Sequence, residues 1–570
     1  MRARTKKGFG ALVALTLVAT ACGGDDDTDS APTPTDADST ADDTSDDGES
    51  GETDDTSDDG ESSESDDTSD DTGTTDADGS GAGTCEGETG GVLTYGSPSQ
   101  PAGLDPVLVP GAESTGITAV AQIYDTLMQW DSDSGTYMPR VAESLEPDAD
   151  FINWTLTLRE GIAFGNGDPL TADAVKASIE RFNELSTGPF KSLTSKITAM
   201  EVIDDLTLVF TLNEAWSGFP FTLSLQPGMI VNTAVVDAAG ESFALDPAGA
   251  GVGAYELDTF TSGEITTLTA KEDYWNGTPC IEELRFVPLP ADQARLEAFE
   301  NGEFDVVYLR DPIPLEASSE YPGFSRYVSA SSALLFNSGV GAPSPANDVR
   351  VRQGLALAID TEAVNERANE GLGDADGAVL GASSRFDLEV AATAPDVEAA
   401  RALLDEAKAD GWDGNLRLIC DAGREEVALA IAAQAADAGV TIDVQVVPNF
   451  GPLVDAIIVN QDFDLACWGF NTADEQPWVS FNNSLSSDSP ANYGGGVSPR
   501  ADQAVDDLRV ASTADEVTQA LNEIQAEWNE IVPALILLST ADRVIHNEAV
   551  TGIQPSSNTM TFFADASIES

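Results

Sequence analysis

Beyond residue 90 the chain alternates between two spacings of apolar positions. Val92-Leu93-Thr94-Tyr95-Gly96 is a short apolar run that stops at the turn-rich stretch Ser97 to Pro110, which predicts a buried strand. Ile117, Val120, Ile123, Tyr124 and Leu127 then recur at helical spacing and predict a helix from Ser114 to Met128. Trp154-Thr155-Leu156-Thr157-Leu158 alternates with period two, as a strand with one covered face does. After the turn Gly165-Asn166-Gly167-Asp168, Thr171 is placed to cap a helix from Ala172 to Asn183, with Asp173 in its first turn. Further strands are predicted at Leu206 to Leu212, Tyr255 to Leu257 and Thr266 to Thr269. Two stretches then run strand, helix, strand: Ile281 to Leu289, Ala291 to Glu300 and Phe304 to Tyr308, and later Leu416 to Ile419, Glu425 to Ala438 and Ile442 to Val447. This alternation predicts an α/β protein with mixed sheets in at least two lobes, and 570 residues exceed what one hydrophobic core usually serves.

Before residue 90 neither period is found. Arg2, Arg4, Lys6 and Lys7 precede an uncharged run from Gly8 to Ala21, the charged and apolar regions of a signal peptide over residues 1–21. The run is short for a bilayer span, and acids rather than a basic cluster follow it. Ala19-Thr20-Ala21-Cys22 resembles a bacterial lipobox, in which the cysteine is diacylated and becomes the mature N-terminus. Ala19 stands where that pattern usually has Leu, and ordinary cleavage after Ala21 is the alternative. Lipidation at Cys22 implies export and a membrane anchor. Residues 22–85 are expected to form a disordered acidic linker. Gly23 to Thr84 holds 24 acids and no Lys or Arg, and the nonapeptide DDTSDDGES occurs at Asp42 to Ser50 and again at Asp54 to Ser62. As a flexible coil, about 60 residues reach roughly 40–45 Å.

Charge changes the picture of the folded part. The formal net charge is −74, and outside the linker and signal 76 acids still face 22 bases. That argues against nucleic acid or an anionic membrane surface as partner and suits a saline medium. Of five cysteines, Cys22 has the lipid role, and four in an exported chain predict two disulfides. Three connectivities exist. Placement favours Cys85 with Cys280, each just ahead of a predicted strand, and Cys420 with Cys467, each at the end of an apolar run. His546 is the single histidine, so no Ser/His/Asp or Cys/His set is assembled, and neither metal nor cofactor is expected. Gly249 to Ala254 mimics part of a dinucleotide fingerprint, but Asp246-Pro247 stands where a buried strand is required, so it reads as a turn.

Several stretches together carry a family resemblance. They are Tyr124-Asp125-Thr126-Leu127, Tyr137 to Ser144 and Leu158-Arg159-Glu160-Gly161-Ile162-Ala163-Phe164, followed by Asp168 to Val175. Gly251-Val252-Gly253-Ala254-Tyr255, Asp273-Tyr274-Trp275, Asn301 to Asp305, Leu335-Phe336-Asn337, Asp348 to Gln353 and Val550-Thr551-Gly552 continue it. The chain resembles the extracellular solute-binding proteins of the peptide/nickel type, family 5, over essentially all of Gly90 to Phe563, with Ala254 where the family generally has Pro.

The resemblance implies a periplasmic-binding-protein-like (Venus flytrap) fold of two lobes with an extra inserted small domain. The expected map is lobe I from 86–123, 229–332 and 536–570, the small domain from 124–228, and lobe II from 333–535, with hinges near Ala330 to Leu335 and Leu535 to Ser539. No bond is made or broken by such a protein, so it is not expected to be an enzyme. Its ligand must touch both lobes. Expected contacts are Ser97, Pro98 and Ser99 from lobe I, and Phe336, Asn337, Trp468, Asn471 and Asp474 from lobe II, with Asn492 and Tyr493 outside them. Peptide-binding relatives carry an aspartate shortly after the tryptophan that pairs with the peptide ammonium. Here Asn471 holds the third position after Trp468, and Asp474 comes later. The implied function is capture of a peptide or similar polar organic solute for an ABC permease and ATPase, by a monomer on the outer face of the cytoplasmic membrane. An oligosaccharide or other small molecule, or a ligand-sensing or adhesive surface role without transport, are the alternatives.

Overall fold

The computed structural model describes residues 90–569. The signal peptide, Cys22, the acidic linker and Cys85, with its expected bond to Cys280, lie outside the described residues. Among the described residues no helix is long and apolar enough to cross a membrane.

One 11-stranded sheet organises the chain. Its first half contains Val92–Ser97 between two parallel neighbours, Glu283–Pro288 and Val306–Leu309, with Ile265–Ala270 and Tyr255–Thr261 added antiparallel at the outer edge. Its second half contains Asn415–Asp421 between Thr441–Val447 and Leu465–Trp468, all parallel. Two long antiparallel strands, Gly323–Phe336 and Ala534–His546, join the halves. The resulting protein is mixed α/β and two-lobed.

The helices lie close to where the apolar spacing puts them. Thr171 accepts a hydrogen bond from the Ala174 N–H and caps Ala172–Leu185, while Asp292–Glu300 and Glu425–Asp437 each connect two strands of one half, the first and the second respectively. The first helix is shorter than its periodicity suggests, Ile117–Tyr124. Gly116 has φ 76° ahead of it and Asp125 has φ 58° behind it. Asp125 is turned to meet Arg140 and the Tyr274 hydroxyl (2.6 Å), so tertiary partners end the helix early. The Gly249 to Ala254 stretch is a tight passage. A Cβ on Gly251 or Gly253 would lie 2.1 or 2.2 Å from a carbonyl oxygen of that helix, so backbone is packed on backbone.

Cores form on both faces of each half. Leu93, Tyr95, Tyr308, Phe562 and Phe563 share one cluster in the first half, and Leu334, Phe336, Leu418 and Leu465 share one in the second. A separate four-stranded antiparallel sheet, Ala142–Pro147, Asn153–Leu158, Thr207–Leu212 and Ile197–Val202, lies within the segment expected as the small domain. Its core does not end at that segment. Trp154, Phe210, Trp216 and Phe219 belong to the same buried cluster as Trp478, Phe481 and Trp528.

The ladder between the two long strands breaks between Val328 and Ala333. Ala330 sits in the break at φ 51°, a conformation costly for a residue with a Cβ. It is over-determined by its partners. The Ser539 hydroxyl oxygen accepts from its N–H at 2.9 Å, and its carbonyl accepts from the N–H groups of Phe470 and Asn471. Cys420 and Cys467, on neighbouring strands, form a disulfide with Cα atoms 4.9 Å apart, the pairing favoured by their placement in the sequence.

Candidate ligand-binding seam between the lobes

Where the strands of the first half end, they face the segment 468–476 of the second. Arg310 follows the Val306–Leu309 strand and donates to Asn471 Oδ1 at 2.6 Å while pairing with Asp542 at 3.3 Å. Asn471 adopts φ 49°, which its short polar side chain tolerates. Arg326, on the long strand, donates to Glu475 Oε1 at 2.5 Å and to Asn558 Oδ1 at 2.9 Å, and lies 3.3 Å from Asp542. Asn558 returns its own N–H to Glu475 at 3.2 Å and its side-chain amide to the Gly111 carbonyl at 2.8 Å. The Tyr137 hydroxyl donates to the Glu475 carbonyl at 2.8 Å. Burial opposes the charge of Arg326, but Glu475 and Asp542 more than offset it and hold its pKa above the ordinary value.

A second set of contacts joins the small four-stranded unit to lobe II. Trp216 and Trp478 rings lie 5.0 Å apart, Arg509 donates to the Ala215 carbonyl at 2.8 Å, and Gln476 donates to the Gly218 carbonyl at 3.2 Å. Arg385 donates to the Gly135 carbonyl at 3.2 Å, with its guanidinium 5.0 Å from the Trp130 ring. Asp474 stays on its own lobe, accepting from the Ser384 hydroxyl at 2.9 Å and the Arg385 N–H at 2.8 Å. Burial nevertheless pushes its pKa up, against those two hydrogen bonds.

Trp468 is half-buried. Phe450 stacks on it at 5.5 Å and Tyr493 meets it edge-on at 5.9 Å. With Ser480, Asn483 and Ser484, Trp468 and Tyr493 border a cavity of about 170 Å³. Asn492 is tied into its own loop, donating to the Ser486 and Gly496 carbonyls and accepting from the Gly495 N–H at 3.0 Å. On the first lobe Ser97 is buried and donates to the Ser99 carbonyl at 3.1 Å, Ser99 donates to the Ser114 carbonyl at 2.8 Å, and Pro98 between them is half-buried.

Two expected contacts lie inside lobe II. Phe336 is wholly buried in the core of lobe II, because the pleat turns it to the face covered by helices. Asn337 is also fully buried and holds its loop together, donating to the Phe463 carbonyl at 2.9 Å and accepting from the N–H groups of Gly339 and Val340. The seam instead contains Arg310, Arg326, Glu475, Tyr137 and Asn558, none singled out from the sequence. Arg310, a base directly after an apolar strand in a chain with few bases, is the one with a readable signal. A cavity of about 630 Å³ lies under residues 375–395, lined by residues 356–395 and 528–536, so it faces the second half of the chain rather than the seam.

Bacterial extracellular solute-binding proteins, family 5 Middle, match residues 136–492. The chain belongs to this family. It is 24% identical over 307 residues to the nickel-binding periplasmic protein of Escherichia coli (strain K12), covering 52% of this chain and 56% of that protein. It thus spans about half the length of the curated relatives it matches. Among solved structures, HbpA2 from Haemophilus parasuis superposes with a TM-score of 0.71 at 20% identity, covering 84% of this chain and 100% of the other. The periplasmic binding protein DppA from Helicobacter pylori in complex with peptide STSA gives 0.68 at 20% identity, covering 85% and 99%.

Proposed function

We propose that the protein is the substrate-binding component of an ABC importer that captures a peptide or similar polar organic solute between its lobes. The observation carrying this reading is the seam, where side chains of both lobes meet across two connecting strands. A ligand touching both sides there binds the closed state better than the open one. The break at Val328 to Ala333, opposite Leu535 to Ser539, serves as the hinge in this reading, with lobe I built from 86–123, 229–332 and 536–570, the small domain from 124–228 and lobe II from 333–535. DppA, solved with a peptide, supports the peptide class. The ammonium anchor of peptide binders is not at Asn471, an amide engaged by Arg310, whereas Asp474 accepts one hydrogen bond on each oxygen, from Ser384 and Arg385, and keeps lone pairs for an ammonium. Phe450 already stacks on one face of Trp468, which leaves a single face for a ligand. Lipidation at Cys22 and the acidic linker tether the protein outside the cytoplasmic membrane, where it hands solute to the permease.

Native mass spectrometry of the purified protein should reveal a co-purifying solute of peptide mass. A retained lipid or glycan, or no solute and no response to a peptide library, would count against the peptide class. Trp468→Ala is expected to weaken binding of the identified solute by about 1–3 kcal/mol, read by calorimetry. Its melting temperature should fall less than the loss of about 3–5 kcal/mol seen for a core tryptophan would cause. A variant that melts early yet binds normally would place Trp468 outside the pocket.

A further inference from the structure

The long strands have a second face. Ser325 and Tyr327 alternate with Arg326, and Ala541 and Arg543 alternate with Asp542, in cross-strand pairs Ser325 with Arg543, Arg326 with Asp542 and Tyr327 with Ala541. Side chains on alternate residues point to opposite faces, so this set looks away from the Arg326–Glu475 contact. A cavity of about 220 Å³ opens there. One wall is the Pro312–Ala317 helix and Arg543 of lobe I, and the other is Leu372, Gly373, Asp374 and Ser383 of lobe II.

The charges in this cavity are unusual for so acidic a chain. Arg543 donates to Ser325 Oγ at 3.1 Å and to the Tyr321 carbonyl at 2.9 Å, but its Nε–H is buried with no acceptor among the described residues. Among the described residues it makes no ion pair, and burial alone pulls its pKa down, with no carboxylate offsetting it. Two carboxylates border the same cavity. Asp374 accepts from the Tyr327 hydroxyl and the Ser383 N–H, each at 2.8 Å, and Glu316 stands exposed at the rim. Neither takes part in an ion pair among the described residues. A buried donor without an acceptor is costly, and cation and anions held apart across a cavity await a solute carrying both signs.

We propose that this cavity is a second binding site, separate from the seam, for a small zwitterion of the free α-amino acid kind. The carboxylate pairs with the Arg543 guanidinium, whose outer nitrogens are the exposed part, and the ammonium faces Asp374 and Glu316. At about 220 Å³ the cavity has room for a small amino acid together with a few waters. Because the two walls belong to different lobes, occupancy at the back of the hinge couples to opening of the seam.

The test is calorimetric titration of the full chain with glycine, L-alanine and L-serine, with propionate and ethylamine as half-ligands at matched ionic strength. The amino acids are expected to bind about tenfold or more tightly than either half, and Arg543→Gln to weaken them by about tenfold or more, as loss of a charged hydrogen bond does. If Arg543→Gln does not fold, Asp374→Asn tests the ammonium end with the acceptor to Tyr327 retained. Amino acids that give no heat, propionate that binds as well as alanine, or binding unchanged in the folded variants would each overturn the proposal.

Discussion

Arg326→Ala is expected to destabilise the protein by about 3–5 kcal/mol, the scale for removing one partner of a buried ion pair. The Glu475 side chain is only 3% exposed and Asp542 only 9%, so the loss of Arg326 leaves two buried carboxylates without the cation between them. Asn558 loses a partner as well. Denaturant unfolding of the variant gives the number, and Glu475→Gln gives a milder companion, because an amide still accepts from Arg326. The pair also spans the seam, so solution scattering of Glu475→Gln should report a more open molecule. A folding loss below about 1 kcal/mol for Arg326→Ala, the scale of exposed pairs, would show that water reaches this pair and that it holds nothing closed.

A second large effect is expected from Glu113→Gln, and it depends on pH. Glu113 is buried, accepting from the Thr118 N–H at 3.1 Å and from the Thr118 hydroxyl, while its Oε1 makes no hydrogen bond among the described residues. Burial, against those hydrogen bonds, pushes its pKa up to about 7. A carboxyl whose pKa is raised in the folded state stabilises that state while protonated. The contribution is full below the ordinary carboxylate value, and falls as pH rises toward and through 7. Wild type should therefore lose about 3 kcal/mol between pH 4 and pH 8 through this group, and Glu113→Gln should lack that part of the slope. Every other acid adds to the pH dependence of both proteins, so the difference between their unfolding curves is the observable. Parallel curves across that range would mean that Glu113 is ionised in the folded protein at neutral pH.

Much of the fold was legible along the chain because local rules and global packing agree in its regular elements. Short apolar runs became strands at Val92–Ser97 and Asn415–Asp421, the period-two run became Asn153–Leu158, and Thr171 caps its helix as its position promised. The strand-end placement of Cys420 and Cys467 carried enough information to pair them, since neighbouring strands are the commonest way two such ends meet. The lobed architecture followed from βαβ alternation together with the family resemblance.

The site was less legible, and the reason is the range of its interactions. Periodicity is a local signal, whereas Arg326 meets Glu475 across 149 residues and Asn558 across 232, distances at which no spacing rule operates. Phe336 and Asn337 show the converse: a motif tells which residues recur, but the pleat and the helices of lobe II turn these two inward. The first helix ends at Tyr124 because Arg140 and Tyr274 claim Asp125, which no helix propensity encodes. Likewise the core of the small unit runs on into lobe II through Trp216 and Trp478. Composition and pattern thus settle class, elements and one disulfide, since each rests on neighbours in sequence or on alternation. Which side chains line the seam, and which cross it, is set by packing between segments far apart in the chain, and only the folded structure brings those segments together.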